Sequence, residues 1–128
     1  MVIPDANLLL YAYHPALKHH EKARLWWEDL AGSSTSVGLP WVSVLTFIRL
    51  STNGHILTPP ASVDEVLEIV ESWLEQPNIK MLIPGERHPT IFAQLLREVG
   101  KASDLTNDAH LAALAIEYRA TIASADTD

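Results

Sequence analysis

The sequence predicts an α/β protein, a three-layer α/β/α domain built on a parallel sheet of four to five strands. Three observations predict it. Short apolar runs alternate with longer stretches of helical periodicity, which indicates parallel strands covered on both faces. No repeat, low-complexity tract or long linker divides the chain. Aspartates fall at the ends of buried elements: Asp5 closes the first apolar run, Asp108 opens a late helix, and Asp126 follows the last run. In an open parallel sheet, the carboxyl ends of the strands and nearby helix N-termini line one crevice. Three acids spread over nearly the whole chain are thereby expected to meet.

Val2-Ile3-Pro4 reads as the first strand, and Ala6–Tyr13 as an apolar helix that His14-Pro15 stops, because proline restricts the residue before it. Between residues 19 and 30, Ala23, Trp26, Trp27 and Leu30 recur at the spacing of an amphipathic helix, which ends at Gly32. Val37-Gly38-Leu39 is the second strand. Residues 41–52 are apolar on nearly every face, a buried helix with one polar stripe of Ser43, Thr46, Arg49 and Asn53. Ser62 and Glu65 form a capping-box pattern ahead of Val63, Val66, Leu67, Val70, Trp73 and Leu74, and Pro77 closes that helix. Residues 79–83 are the third strand. Pro89 and Gly100 bracket the next helix. Residues 107–119 form the last helix, with Thr106 or Asn107 as its N-cap, and residues 121–124 the fourth strand. Two successive helices separate some strands, so spacing does not give the strand order.

At 128 residues the chain is expected to be one domain, 1–128, large enough to bury a core. The absence of cysteine excludes disulfides and thiolate metal sites and fits the cytosol. No apolar run reaches the length of a membrane span, and Asp5 interrupts any signal-peptide core, so a cytoplasmic protein with no membrane association is expected. The net charge of −7 argues against a large passive nucleic-acid surface. It does not argue against a metal-dependent nuclease, since a bound divalent cation reverses the local sign of an acidic crevice. An acidic surface also suits a basic protein partner, or serves solubility alone. The last motif is followed at once by Asp128, so a C-terminal edge strand is expected to be absent or truncated.

An oxygen-only cluster of carboxylates suits Mg²⁺ or Mn²⁺. Asp108 lies where a helix N-terminus favours the ionised form, and the same position suits a purely structural first-turn acid. Asp5, inside Ile-Pro-Asp-Ala-Asn-Leu-Leu-Leu, is expensive to bury unless paired or metal-bound; its alternative role is a strand-to-helix N-cap. Asp126 and Asp128 have turn residues as their alternative. Among the histidines, His19, His20, His55, His88 and His110 contain no pair at the i, i+4 spacing of a zinc hydrolase, and they read mostly as surface or packing residues. His110, two residues after Asp108, points to a different helix face. Trp26, Trp27 and Trp73 read as core, and any exposed tryptophan as a dimer or partner contact.

The residues then carry a specific resemblance. The start Val-Ile-Pro-Asp-Ala-Asn-Leu-Leu-Leu-Tyr-Ala, the late Leu-Thr-Asn-Asp-Ala-His-Leu-Ala-Ala-Leu-Ala and the closing Ala-Thr-Ile-Ala-Ser-Ala-Asp-Thr-Asp resemble a PIN-domain ribonuclease. The nearest type is the VapC toxins of bacterial toxin–antitoxin pairs. The similarity covers essentially the whole chain, the middle Trp-Val-Ser-Val-Leu-Thr-Phe-Ile-Arg-Leu segment included. It implies a PIN-like fold, a Mg²⁺- or Mn²⁺-dependent endoribonuclease acting on RNA, a homodimer, and neutralisation by a cognate antitoxin. It further implies that Asp5, Asp108 and Asp126 form the catalytic, metal-binding acids, that Asn7 and Ser124 orient them, and that Asp128 assists from further out.

One position departs from the pattern. PIN domains usually supply a glutamate from the helix after the second strand, and here Thr46 occupies that place. The site loses one negative charge, and Asp104 is a conceivable substitute. Arg49, on the same stripe, is expected to hold a phosphate oxygen or a carboxylate, or else to form a structural salt bridge. The alternative to the toxin is therefore a catalytically weak PIN-like domain that retains antitoxin or RNA binding. A receiver-type phosphoacceptor ranks below both, because it expects an early acidic pair and a late lysine, and no lysine follows Lys101.

Overall fold

Four strands, β1 (Val2–Pro4), β2 (Val37–Pro40), β3 (Ile79–Leu82) and β4 (Thr121–Ala123), form one sheet in the order β3-β2-β1-β4. The computed structural model describes residues 1–124, with Asp104 described by its backbone alone. Every neighbouring pair of strands is parallel. Val2, Ile3 and Pro4 stand opposite Thr121, Ile122 and Ala123, while Val37 is the partner of both Val2 and Ile79. The described sheet has four strands, the lower of the two expected numbers.

The register fixes what each face of the sheet buries, because alternate residues point to opposite sides. Val37, Leu39 and Ile79 share one face and belong to the larger core cluster. Ile3 and Leu82 point the other way, into a second cluster with Leu111 and Leu114. The two clusters are the two interfaces of a three-layer sandwich. The larger packs α1 (Ala6–Tyr13), α2 (His20–Ala31), α3 (Trp41–Ser51) and α4 (Val63–Leu74). The smaller lies under α6 (Thr106–Tyr118), which pairs with α5 (His88–Val99).

Local signals explain most of the boundaries. The Ser62 hydroxyl accepts the Glu65 amide at 3.1 Å while the Glu65 carboxylate receives the Ser62 amide at 3.4 Å, so the expected capping box heads α4. Gly100 ends α5 in the left-handed region at φ 81°, where a residue without Cβ pays no steric penalty. The expected N-cap of the last helix is not what forms. That helix starts at Thr106, after a 3₁₀ turn over Ser103–Leu105, and the cap position is Leu105. The Thr106 hydroxyl instead donates to Ser103 O at 2.7 Å, closing that turn. β3 stops one residue short of the expected strand, because exposed Ile83 turns its carbonyl to the Tyr118 hydroxyl at 2.5 Å.

The larger core is organised around one phenol. The Tyr13 oxygen accepts the indole N–H of Trp27 at 2.9 Å and that of Trp73 at 2.7 Å. Phe47 and Trp73 pack with ring centroids 4.8 Å apart, and Phe47 also meets the Tyr13 edge at 5.9 Å. Four helices are thereby joined at the end of α1. Burial, outweighing the two indole hydrogen bonds, raises the Tyr13 pKa and keeps the phenol neutral. Beside it, His14 Nε2 bonds the buried Ser51 hydroxyl at 2.8 Å and the ring stacks on Phe47. Among the described residues, no helix is long and apolar enough to cross a membrane.

Two stability outcomes follow from this end of the core. Tyr13→Phe leaves two indole donors without their acceptor, and a buried unsatisfied group costs about 1–3 kcal/mol. Urea denaturation should show a loss of that order with the slope unchanged. His14 is held below the usual histidine value by burial first and by His20 second, with Glu65 opposing. The folded chain thus binds a proton less readily than the unfolded chain, whose histidine titrates near 6.5. The stabilisation is full above that pH and is lost as pH falls below it. Melting temperatures measured across this range should drop on acidification, and His14→Gln should flatten the drop.

Candidate active site

Asp5 sits where β1 ends and α1 begins, with extended backbone at φ −73° and ψ 150°. Its amide donates to Ala123 O at 2.8 Å, continuing the β1–β4 ladder by one residue. Its carbonyl accepts the amides of Leu8 and Leu9. The carboxylate makes no capping bond to α1. Instead Oδ2 receives the Ser124 hydroxyl at 3.3 Å, across 119 residues of chain. Asp5 thus holds the N-cap position of α1 without a side-chain capping bond, and the parallel register is what places Ser124 beside it. Asn7 lies half-buried in the first turn of α1.

Two other elements border the carboxyl end of β1. Ser43 of α3 is 2 % exposed and donates to Pro4 O at 3.4 Å. Thr46 is one turn further on the same stripe and half-buried, whereas Arg49 in the last turn is exposed. Arg49 takes part in none of the ion pairs among the described residues. On the opposite face, α6 returns from the carboxyl end of the sheet to the start of β4, so its N-terminal turn lies at the crevice end. Asp108, third residue of that helix, is exposed. Leu111, one turn later, packs with Ile3 and Val42 and anchors the turn over β1.

Asp5 and Ser124 are thus brought together, with Ser43 against the neighbouring Pro4. Asp104 lies in the 3₁₀ turn before α6. Asp126 and Asp128 lie outside the described residues. Among the described residues, no three histidines or acids stand close enough to hold a metal ion.

A second cluster was not legible as such in the sequence. The Glu117 carboxylate receives the Gly85 amide at 2.9 Å and the Arg87 amide at 3.3 Å. Its Oε1 lies 4.0 Å from His88 Nδ1, and His88 Nε2 is 2.9 Å from His110 Nδ1. His88 is 8 % exposed, and its Nδ1 has no hydrogen-bond partner among the described residues. The reading of these histidines as packing residues was therefore incomplete. The two imidazole rings thus share one hydrogen bond, His88 Nε2 to His110 Nδ1, whose donor is set by the tautomers. Burial first, and His88 second, hold the His110 pKa below the usual value. The available signal was the seven-residue interval from His110 to Glu117, which puts both on one face of α6.

The family model described as PIN domain matches residues 2–128. The chain belongs to the PIN-domain family. Curated relatives agree along its length. Ribonuclease VapC33 of Mycobacterium tuberculosis is 42 % identical over 128 residues, covering 100 % of this chain and 90 % of the relative. Ribonuclease VapC37 of the same organism is 40 % identical, covering 100 % and 89 % respectively. Ribonuclease VapC43 is 39 % identical over 126 residues, covering 98 % and 86 %. The PIN match takes in every acid singled out above.

This PIN domain should be sensitive at Gly85. A Cβ there would lie 2.2 Å from the Glu117 carboxylate. Because that carboxylate ends a flexible side chain, Gly85→Ala should expel it and strip two amides of their acceptor. The expected loss is about 1–3 kcal/mol in chemical denaturation, and unchanged stability would show that Glu117 does not hold the β3–α5 connection.

Proposed function

We propose that this PIN domain is a Mg²⁺- or Mn²⁺-dependent endoribonuclease, the toxin of a toxin–antitoxin pair, working through Asp5, Asp108 and Asp126. The observation that carries the reading is the Asp5 carboxylate. It stands at the N-cap of α1 with Oδ2 bonded by Ser124, at the carboxyl end of a central strand in a chain whose curated relatives are named ribonucleases.

The described donors suit a hard divalent cation. Asp5 and Asp108 offer carboxylate oxygens, Asn7 an amide oxygen and Ser124 a hydroxyl, and no thiolate is present anywhere in the chain. When bound, such an ion supplies a Lewis acid and a water of lowered pKa for attack on phosphorus. The chain's own residues do the rest. Ser124 fixes the orientation of the Asp5 carboxylate by donating to Oδ2. The first turn of α6 carries Asp108 at the exposed surface. Arg49 offers a planar fork for a non-bridging phosphate oxygen. Asn7 joins Ser124 in orienting the acids, Asp128 assists from further out, and Asp104 is the substitute for the charge that Thr46 does not bring.

Thr46 supports the second reading, a PIN domain of reduced activity that still binds RNA or antitoxin. It stands half-buried on the stripe that carries Ser43, where a threonine brings no charge. For the partners, Trp41 and Leu45 lie one turn apart on α3, 48 % and 50 % exposed. An apolar pair of this kind suits a homodimer contact or the antitoxin. The proposed setting is the cytoplasm.

RNA cleavage assays with Mn²⁺ decide between the readings. The parent protein should cut single-stranded RNA and slow growth when expressed without a partner. Asp108→Asn should relieve both effects, and equal toxicity of the two forms would sink the catalytic reading. Thr46→Glu should raise the Mn²⁺-induced shift in melting temperature; no change would place residue 46 outside the site.

A further inference from the structure

We infer that the cavity beside Asp108, walled by Phe92, His88 and His110, is a subsite for one unstacked RNA base next to the cleaved phosphate. This rests on the ribonuclease reading above and extends it to substrate recognition.

The cavity is an open groove of about 510 Å³ between α3, α5 and the N-terminal turn of α6, within the volume range of small-ligand sites. Asn107, on its wall, is the residue immediately before Asp108. An occupant therefore sits beside the backbone that carries the proposed metal-binding acid. The walls are flat and largely apolar. The Phe92 and His88 rings lie nearly parallel, 14° apart with centroids at 6.1 Å, and Val42 and Pro89 complete the apolar surface. His110 meets His88 edge-on, with centroids 4.7 Å apart.

Polar groups are few and clustered. Asn107 and Thr106 offer an amide and a hydroxyl, and His110 retains Nε2 because its Nδ1 is taken by His88. Among the described residues that line it there is no acid, lysine or arginine. Among these residues a phosphate or carboxylate would find no lysine or arginine. A neutral planar ring with hydrogen-bonding edges fits both the walls and the polar groups, which is how proteins read splayed-out RNA bases. The wall is also braced from behind. Glu117, itself fixed by the Gly85 and Arg87 amides, faces the buried side of His88, and His88 in turn holds His110.

The test is a titration of metal-free protein with the four nucleoside 5′-monophosphates, with ribose 5-phosphate as the baseless control, read by NMR of the aromatic ring signals. At least one nucleotide should move the Phe92, His88 and His110 rings in a saturable way, and ribose 5-phosphate should not. Phe92→Leu keeps an apolar wall but removes the stacking face. It should weaken that binding roughly fivefold, the low end of what an aromatic stacking partner contributes to a bound base. Rings silent to all four nucleotides, equal shifts with the baseless sugar, or unchanged binding in Phe92→Leu would each overturn the subsite. RNA cleavage by parent and Asp108→Asn, measured alongside, keeps the two ideas apart. Cleavage that depends on Asp108 while the rings stay silent removes the subsite and leaves the nuclease. Ring shifts with cleavage indifferent to Asp108 remove the Asp108 nuclease and with it the subsite's place beside a cleaved phosphate.

Discussion

The parallel pairing of β1 with β4 is the constraint on which the rest of the molecule depends. The two strands come from opposite ends of the chain, and their register sets Pro4 against Ala123. One further hydrogen bond, from the Asp5 amide to Ala123 O, carries the ladder past the end of β1. That step delivers Ser124 to the Asp5 carboxylate. Slipping the register by one residue would turn Ile122 to the wrong face and part Asp5 from Ser124 together. Burial of Ile3 and the geometry of the acid are thus fixed by the same pairing.

The two faces of the sheet divide the labour. One side is closed by four helices gathered around Tyr13, a rigid block that holds α1 and α3 and therefore Asp5, Ser43 and Thr46. The other side rests on α6, a single helix with three duties spaced along it. Its first turn presents Asp108, its second turn His110, and its last turn Glu117, which ties down the β3–α5 connection. Leu111 and Leu114, between them, supply the packing that fixes the helix on Ile3 and Leu82.

Much of this was legible in the residues. Helix and strand positions followed from periodicity, proline and glycine, because these act locally. The Ser62–Glu65 box and the Gly100 cap appeared where their side chains dictate. The start of α6 was misjudged, since Thr106 spends its hydroxyl on a 3₁₀ turn that no short-range pattern announces. At the candidate site, Asp5 stood out because an acid in an apolar run needs a reason, but its partner Ser124 came from the family resemblance and depends on the register. The His88–His110–Glu117 chain was missed for a related reason. His88 belongs to another helix, and only tertiary packing brings it within 2.9 Å of His110.

The central claim is that the end of β1 and the first turn of α6 together form a cation site for RNA cleavage. Paramagnetic broadening by Mn²⁺ tests it directly, because the effect reports distance from the bound ion at every backbone amide. At low Mn²⁺, the Asp5, Ser124 and Asp108 amides should broaden first, while Ile79 and Lys80 on β3 remain sharp. Broadening centred instead on the exposed acids of α2 or α4, with Asp5 and Asp108 untouched, would contradict the account.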